Sequence, residues 1–155
     1  MGSEVTDGAA PGLVIPQEVA KRVNSALADG KPIVVGYVTA DGRPTLSLRG
    51  STRVHSDDQI AIWVRHAQGG FIQSVAGNPQ VSLLYRDSQE RTTFVFSGRA
   101  HVAHDAPTRM AVYEAIPQVE KDHDPDRDGA ALIIDVDRLQ GGTVGGAQVS
   151  LERSG

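Results

Sequence analysis

Residues 33–54 read IVVGYVTADGRPTLSLRGSTRV, and the order of residue types in that stretch decides the fold. Ile33 to Ala40 is a β-branched run, which suits a pleated surface better than a helix. Asp41-Gly42 follows, a pair that readily takes the positive φ of a tight hairpin turn. Beyond the turn, residues 43–54 alternate. Leu46, Leu48 and Val54 take one face, and Arg43, Thr45, Ser47, Arg49, Ser51 and Arg53 the other.

The same logic extends outward. Asp57-Asp58 makes a turn into a third strand, Gln59 to His66, which carries Trp63. Gly69-Gly70 opens a short helix over 70–77, and Asn78-Pro79 stops it, because proline cannot continue the helical ladder. Strands follow at 80–87 and 91–104. A helix over 106–116 begins at Ala106-Pro107, an acidic loop covers 117–129, and a sixth strand covers 130–137. Upstream, Pro16 opens an amphipathic helix over 17–28 with Val19, Val23, Ala26 and Leu27 on one side. Strands in hairpin order with few helices do not make βαβ units. The expected class is mainly β: a six-stranded antiparallel barrel with short helices at its ends.

Composition bounds the rest. The chain has 155 residues, one domain by length. With 15 Lys and Arg against 19 Asp and Glu, its net charge is −4, which argues against a general nucleic-acid binder. No cysteine is present, so disulfides, thiolate metal sites and cysteine nucleophiles are excluded. No apolar run approaches the roughly 20 residues of a membrane span. Residues 1–15, small and polar, are expected to be a disordered leader without secretory character, which makes a cytoplasmic protein the default. Residues 16–140 form the domain, and 141–155, opening on Gly-Gly-Thr-Val-Gly-Gly, are expected to be a flexible or partner-crossing tail.

Four blocks then stand in a telling order: Ala-Asp-Gly-Arg-Pro from Ala40, Ile-Ala-Ile-Trp-Val-Arg from Ile60, Val-Ala-Gly-Asn-Pro-Gln-Val-Ser-Leu-Leu-Tyr from Val75, and Phe-Ser-Gly-Arg-Ala from Phe96. By these blocks and their spacing, the region from the first strand to Asp137 resembles the pyridoxamine 5′-phosphate oxidase-like family, FMN-binding split barrels that work as homodimers. The resemblance implies a flavin phosphate held near Arg49, Gly50 and Ser51 on the second strand, at Arg65 and His66 ending the third, and at the Gly69-Gly70 helix start. It places backbone N–H groups near Thr52 or Arg53, and Thr93, near the flavin ring. These residue types suit the chemistry: a phosphate favours arginine forks and hydroxyls, and helix N–H groups add partial positive charge. The chain also departs from the family. A Ser-Arg-Lys-like cluster is replaced by Gly69, Gly70 and Phe71, and the C-terminal Trp and Arg motif of the namesake oxidases is absent. A weaker phosphate site is therefore expected, without true pyridoxamine-phosphate oxidase activity.

Other features read more simply. Arg53 shares the polar face of Arg49, and Trp63 is expected to be packed in a core or subunit seam. Asp124-Pro-Asp-Arg-Asp-Gly129, with Asp135 in the twelfth place, has the outline of a calcium loop. The strand-like residues after Gly129 favour a solvated acidic loop instead. His101 and His104, three apart on a strand, are expected to face opposite sides, and no metal site is expected. The resemblance implies an oxidoreductase using FMN or the deazaflavin F-420 on a small molecule. The alternatives are a non-catalytic dimer binding flavin, haem or a related tetrapyrrole, and a dimer that has lost its ligand.

Overall fold

The computed structural model describes residues 13–154. Helix α1 (Gln17–Ser25) precedes strands β1 (Ile33–Val38), β2 (Pro44–Arg49), β3 (Arg53–Ser56) and β4 (Gln59–Val64). Helix α2 (Gly70–Gly77) and strands β5 (Gln80–Asp87) and β6 (Thr92–Ala103) follow. Helices α3 (Ala106–Ala115) and α4 (Gln118–Asp122) then lead to β7 (Ala130–Thr143) and β8 (Gln148–Glu152). All strands join one antiparallel sheet in the order β2-β1-β5-β6-β7-β4-β3, with β8 on the far half of β7.

The sheet is antiparallel and mainly β as expected, but it has eight strands, not six, and it is not closed. The expected second strand, 43–54, is two. It ends at Arg49, turns through Gly50-Ser51-Thr52 and restarts at Arg53. Consecutive strands β2 and β3 thus stand at opposite ends of the sheet order, joined by three residues. Four residue steps span at most about 14 Å, so Arg49 and Arg53 lie within that distance and the sheet curls until its two ends meet. This is a barrel split along one seam.

The second extra strand comes from the C-terminal region. The expected sixth strand, 130–137, runs on to Thr143, and residues 148–152 fold back on it. Gly141 and Gly142 take φ of 141° and 157°, and a Cβ on Gly141 would lie 1.9 Å from the Thr93 carbonyl oxygen, so glycine lets these strands approach. Arg153 secures the end. Its Nη2 donates to the Val136 carbonyl at 2.8 Å, its Nε donates to Asp137 Oδ1 at 3.1 Å, and it pairs with Asp58 at 3.2 Å. The hairpin therefore belongs to its own barrel, where a free or partner-crossing tail had been expected. At the other end, Leu13 and Ile15 are buried, and the Ile15 N–H bonds the Asp57 carbonyl, so the leader expected over 1–15 is already core here. Residues 1–12 lie outside the described residues.

The main core fills the barrel. Val35, Leu83, Tyr85 and Phe96 from the sheet meet Val19 and Val23 of α1 and Phe71 and Val75 of α2. A second core lies outside the barrel wall, where α3 places Val112, Tyr113 and Ile116 over Ala61, Trp63, Ala131 and Ile133. On β2 the alternation holds, and its leucines face outward. Leu46 and Leu48 are 75% and 64% exposed, while Thr45, Ser47 and Arg49 turn inward. Leu48, Val34, Leu84 and Val95 are successive cross-strand partners, so they form one apolar row over four strands.

Candidate functional site

At the seam, the β2–β3 turn, the end of β4 and α4 enclose a cleft of about 150 Å³, lined by Leu48, Arg49, Gly50, Ser51, Trp63, Arg65, His66, Glu120 and His123. Five of the residues singled out by sequence thus meet at one place: Arg49, Gly50, Ser51, Arg65 and His66. Gly69 and Gly70 stand next to it, since the Gly69 N–H bonds the His66 carbonyl at 2.9 Å. A Cβ on Gly70 would meet nothing within 4 Å, so the α2 start has open space in front of it. Thr93 lies elsewhere. Its hydroxyl accepts from Arg86 Nη1 at 2.7 Å, and it lines a separate groove with Arg91, Val95 and Gln140.

Arg49 is the group that makes this cleft a candidate anion site. It is half-buried, and among the described residues it has no carboxylate partner. Its Nε donates to Ser47 Oγ at 3.0 Å, and its guanidinium carbon sits 4.3 Å from the Phe71 ring centroid. Phe71, standing where a lysine was expected, therefore supports the arginine from below as a cation–π partner. Burial pushes the Arg49 pKa down, Tyr37 partly opposes this, and the neighbouring Arg65 charge lowers it further. A guanidinium stays protonated regardless, so Arg49 is a half-desolvated positive charge that makes no ion pair among the described residues.

The hydroxyls behave differently from the expectation. Ser51 and Arg49 do not share one strand face, because Ser51 lies in the turn. Its Oγ donates to the Trp63 carbonyl at 2.9 Å and accepts from the Trp63 N–H at 3.0 Å. Thr52 Oγ1 donates to the Arg49 carbonyl at 2.7 Å. Both are buried and hold the turn together in place of missing ladder bonds. Arg53 Nη1 reaches the Asn24 carbonyl at 3.5 Å, so it serves α1 and is no part of the cleft.

Two cleft residues were missed by sequence reasoning, Glu120 and His123, because 117–129 was read as loop. Pro117 starts α4 there, and Tyr113 Oη donates to the carbonyls of Lys121 and Asp124, at 3.2 and 2.9 Å. The acidic run is a structural knot rather than a solvated loop. Asp124 is 8% exposed and its carboxylate accepts from Trp63 Nε1 at 2.8 Å, the Gly129 N–H at 2.8 Å and the Asp128 N–H at 3.0 Å. Trp63 is accordingly a packed residue, edge-on to Tyr113 at 5.1 Å. Among the described residues, no group of three or more His, Asp or Glu side chains is placed to hold a metal.

The largest groove, of about 660 Å³, lies between α2 and the ends of β6 and β7 and includes His101, His104 and Arg109. The two histidines share it, contrary to expectation, because β6 ends at Ala103 and His104 leaves the strand alternation. Its arginine is already engaged: Arg109 donates to the carbonyls of Gly129 and Arg127, at 2.9 and 3.0 Å, and lies 5.0 Å from the Trp63 ring centroid. The cleft at the seam, with its unneutralised arginines, is the better candidate for recognising an anion.

No family model and no curated protein matches the sequence. Solved structures do match. HupZ of Group A Streptococcus superposes with a TM-score of 0.66 at 18% identity, covering 91% of this chain and 99% of that one. A pyridoxamine 5′-phosphate oxidase-related, FMN binding protein of Nostoc punctiforme gives 0.66 at 13% identity, covering 88% and 93%. A Clostridium acetobutylicum protein of the pyridoxinephosphate oxidase family, related to general stress protein 26 of Bacillus subtilis, gives 0.64 at 14% identity, covering 89% and 96%. The chain has the fold of the pyridoxamine 5′-phosphate oxidase-related FMN-binding proteins, as the sequence blocks implied.

Proposed function

We propose that the seam cleft binds the anionic headgroup of a flavin-class cofactor, FMN or the deazaflavin F-420, and that the protein is an oxidoreductase acting on a small molecule. The observation that carries this reading is Arg49, half-buried, without an acidic partner and aimed at a cleft it shares with Arg65 and His66. These residues fit an anionic headgroup. The cleft is too small for a tricyclic ring, since small-molecule sites run about 300–1,000 Å³, so the ring lies at its mouth. When bound, the flavin supplies the hydride chemistry. The chain fixes the headgroup with charge-assisted hydrogen bonds from Arg49 and Arg65, and Phe71 holds the Arg49 guanidinium in place.

We further propose a homodimer joined through the exposed row of Leu48, Val34, Leu84 and Val95, which would cover the ring side of the cleft mouth. Apolar rows of this kind rarely stay exposed on a monomer. Among the described residues no helix is long and apolar enough to cross a membrane. A second reading, a binder without catalysis, draws support from Ser51 and Thr52, whose hydroxyls are spent inside the turn.

Titration with FMN, FAD, F-420 and haem, followed by absorbance and fluorescence, tests the reading. Flavin or deazaflavin is expected to bind, and Arg49→Ala is expected to lose about ten- to a hundredfold in affinity, the worth of one charge-assisted bond of about 1.5–3 kcal/mol. If Arg49→Ala and Arg65→Ala both bind as tightly as the unmodified protein, the ligand sits elsewhere. A Soret band with haem, and no flavin uptake, would favour the tetrapyrrole alternative.

A further inference from the structure

We propose that Glu120 biases the charge of the headgroup this cleft accepts, penalising a doubly charged phosphomonoester more than a singly charged phosphodiester. The proposal rests on the anion-site reading above and deepens it by naming the residue that biases the choice between two classes of phosphate.

The first ground is position. Glu120 lines the same cleft as Arg49, Arg65 and His66. A Cβ on Gly50 would lie 2.8 Å from Glu120 Oε2, so the carboxylate rests directly against the turn that follows Arg49. Glycine at residue 50 is what makes room for it. The second ground is that this carboxylate is not neutralised elsewhere. Its neighbours are engaged: Lys121 pairs with Glu114 at 3.6 Å, and Gln118 donates to Asp122 at 2.8 Å. Among the described residues, Glu120 has no ion pair, and neither do Arg49 and Arg65. The charged groups facing the cleft are therefore two arginines and one carboxylate, beside the imidazoles of His66 and His123.

The third ground is that Glu120 is held there. The Tyr113 hydroxyl fixes the Lys121 carbonyl, and the Asp124 carboxylate fixes the following loop to Trp63. The backbone that carries Glu120 thus cannot easily withdraw. Two arginines and one carboxylate leave the cleft with one net positive charge, which a monoanion neutralises. Each negative charge on a ligand is repelled by Glu120, so a dianion loses twice the attraction that a monoanion loses. A half-exposed site screens this, and the remaining penalty is about tenfold in affinity for a dianion and about threefold for a monoanion.

The test uses two ligands that differ by one charge, at pH 8. FMN is a phosphomonoester carrying about two negative charges there, since the second phosphate ionisation lies near 6. FMN monomethyl ester, with the same ring and ribityl chain, is a singly charged diester. Glu120→Gln is expected to bind FMN about tenfold more tightly than the unmodified protein and the diester about threefold more tightly, so that the FMN-to-diester affinity ratio rises about threefold. The glutamine is isosteric and sits on a surface helix, so folding is preserved. An FMN-to-diester ratio that Glu120→Gln leaves unaltered overturns the role of Glu120. Arg49→Ala separates the two readings: weakened binding of both ligands upholds the anion site whatever the ratio does, and undiminished binding of both overturns the site and the proposal with it. Failure of both the unmodified and Glu120→Gln proteins to bind either ligand also overturns both.

Discussion

Replacing Asp124 by alanine would remove the acceptor for three donors, the Trp63 indole N–H and the N–H groups of Asp128 and Gly129. Trp63 and Gly129 are buried, whereas Asp128 is exposed and can turn to water. A buried donor left unsatisfied costs about 1–3 kcal/mol, so two of them give an expected loss of about 3 kcal/mol. For a domain of this size that is a fall in Tm of about 6–12 °C. Asp124→Asn keeps the shape but turns an amide donor toward donors, with an expected loss of about 2 kcal/mol. The assay is urea unfolding followed by fluorescence, since Trp63 is the single tryptophan and reports directly on its own indole bond. Acid adds a signed test. Burial alone pushes the Asp124 carboxyl up, but the Trp63 indole, the two backbone N–H groups and the Arg109 charge more than offset it and hold the group below the usual carboxylate range. A carboxyl lowered on folding stabilises fully above its unfolded value of about 3.9 and loses that contribution as pH falls through its folded value. The advantage over Asp124→Asn should therefore be constant at neutral pH and shrink below about pH 4. An Asp124→Ala protein within about 0.5 kcal/mol of the unmodified one would refute the knot as a source of stability.

Three further perturbations probe other joints of the structure. Gly98→Ala should cost about 2–4 kcal/mol in urea unfolding, because its Cβ would lie 2.3 Å from the Asp135 carbonyl oxygen at the register shift of β6; an unchanged midpoint would mean the bulge yields freely. Leu48→Lys or Leu84→Lys should convert the proposed dimer to a monomer in light scattering, and a monomeric unmodified protein at micromolar concentration would count against the apolar row as an interface. Arg153→Ala should speed amide exchange in β8 at least about tenfold, since it frees that strand from Asp58, Val136 and Asp137; exchange unaltered there would show that ladder bonds alone hold the end.

Local chemistry made most elements of the fold legible. Asp41-Gly42, Asn78-Pro79 and Ala106-Pro107 each punctuate the chain by backbone preference, and each does so in the structure near the expected place. The errors came where pairing decides. Alternation from Arg43 to Val54 runs unbroken in sequence, yet Gly50 lets the chain turn, and only the distant partners of β2 and β3 show that these are two strands. The glycines of 141–146 resemble a flexible tail by composition. Gly141 and Gly142 are instead residues that permit close strand approach, as the contact of Gly141 with the Thr93 backbone shows, and Gly145 takes the positive φ of the turn between β7 and β8. Which face of β2 points inward was not legible either. Its leucines sit outward because the inward side carries Arg49 over Phe71, and alternation alone does not say which face is the interior.

The sequence named the cations of the candidate cleft and not its carboxylate. Arg49 and Arg65 were named because the family resemblance implies that the second and third strands bring their ends to one corner, and the cleft holds both. Glu120 lies about seventy residues further along the chain, on a one-turn helix with no periodic signal of its own. What brings it to the corner is the second core. Tyr113 and Ile116 seat α3 on the outer wall at Trp63, the Asp124 knot then draws the acidic loop back over the same tryptophan, and α4, tied to α3 through Tyr113 and Glu114, comes to rest against the β2–β3 turn. Gly50 accepts that contact because it has no side chain to refuse it. The charge a ligand meets at the seam is thus decided by packing on the opposite side of the barrel wall. It follows that loosening the knot and removing the carboxylate should act on the same phosphate preference: Asp124→Asn, if it still folds at working temperature, should shift the FMN-to-diester ratio toward that of Glu120→Gln, and a ratio identical to the unmodified protein's would show that α4 holds its place without Asp124.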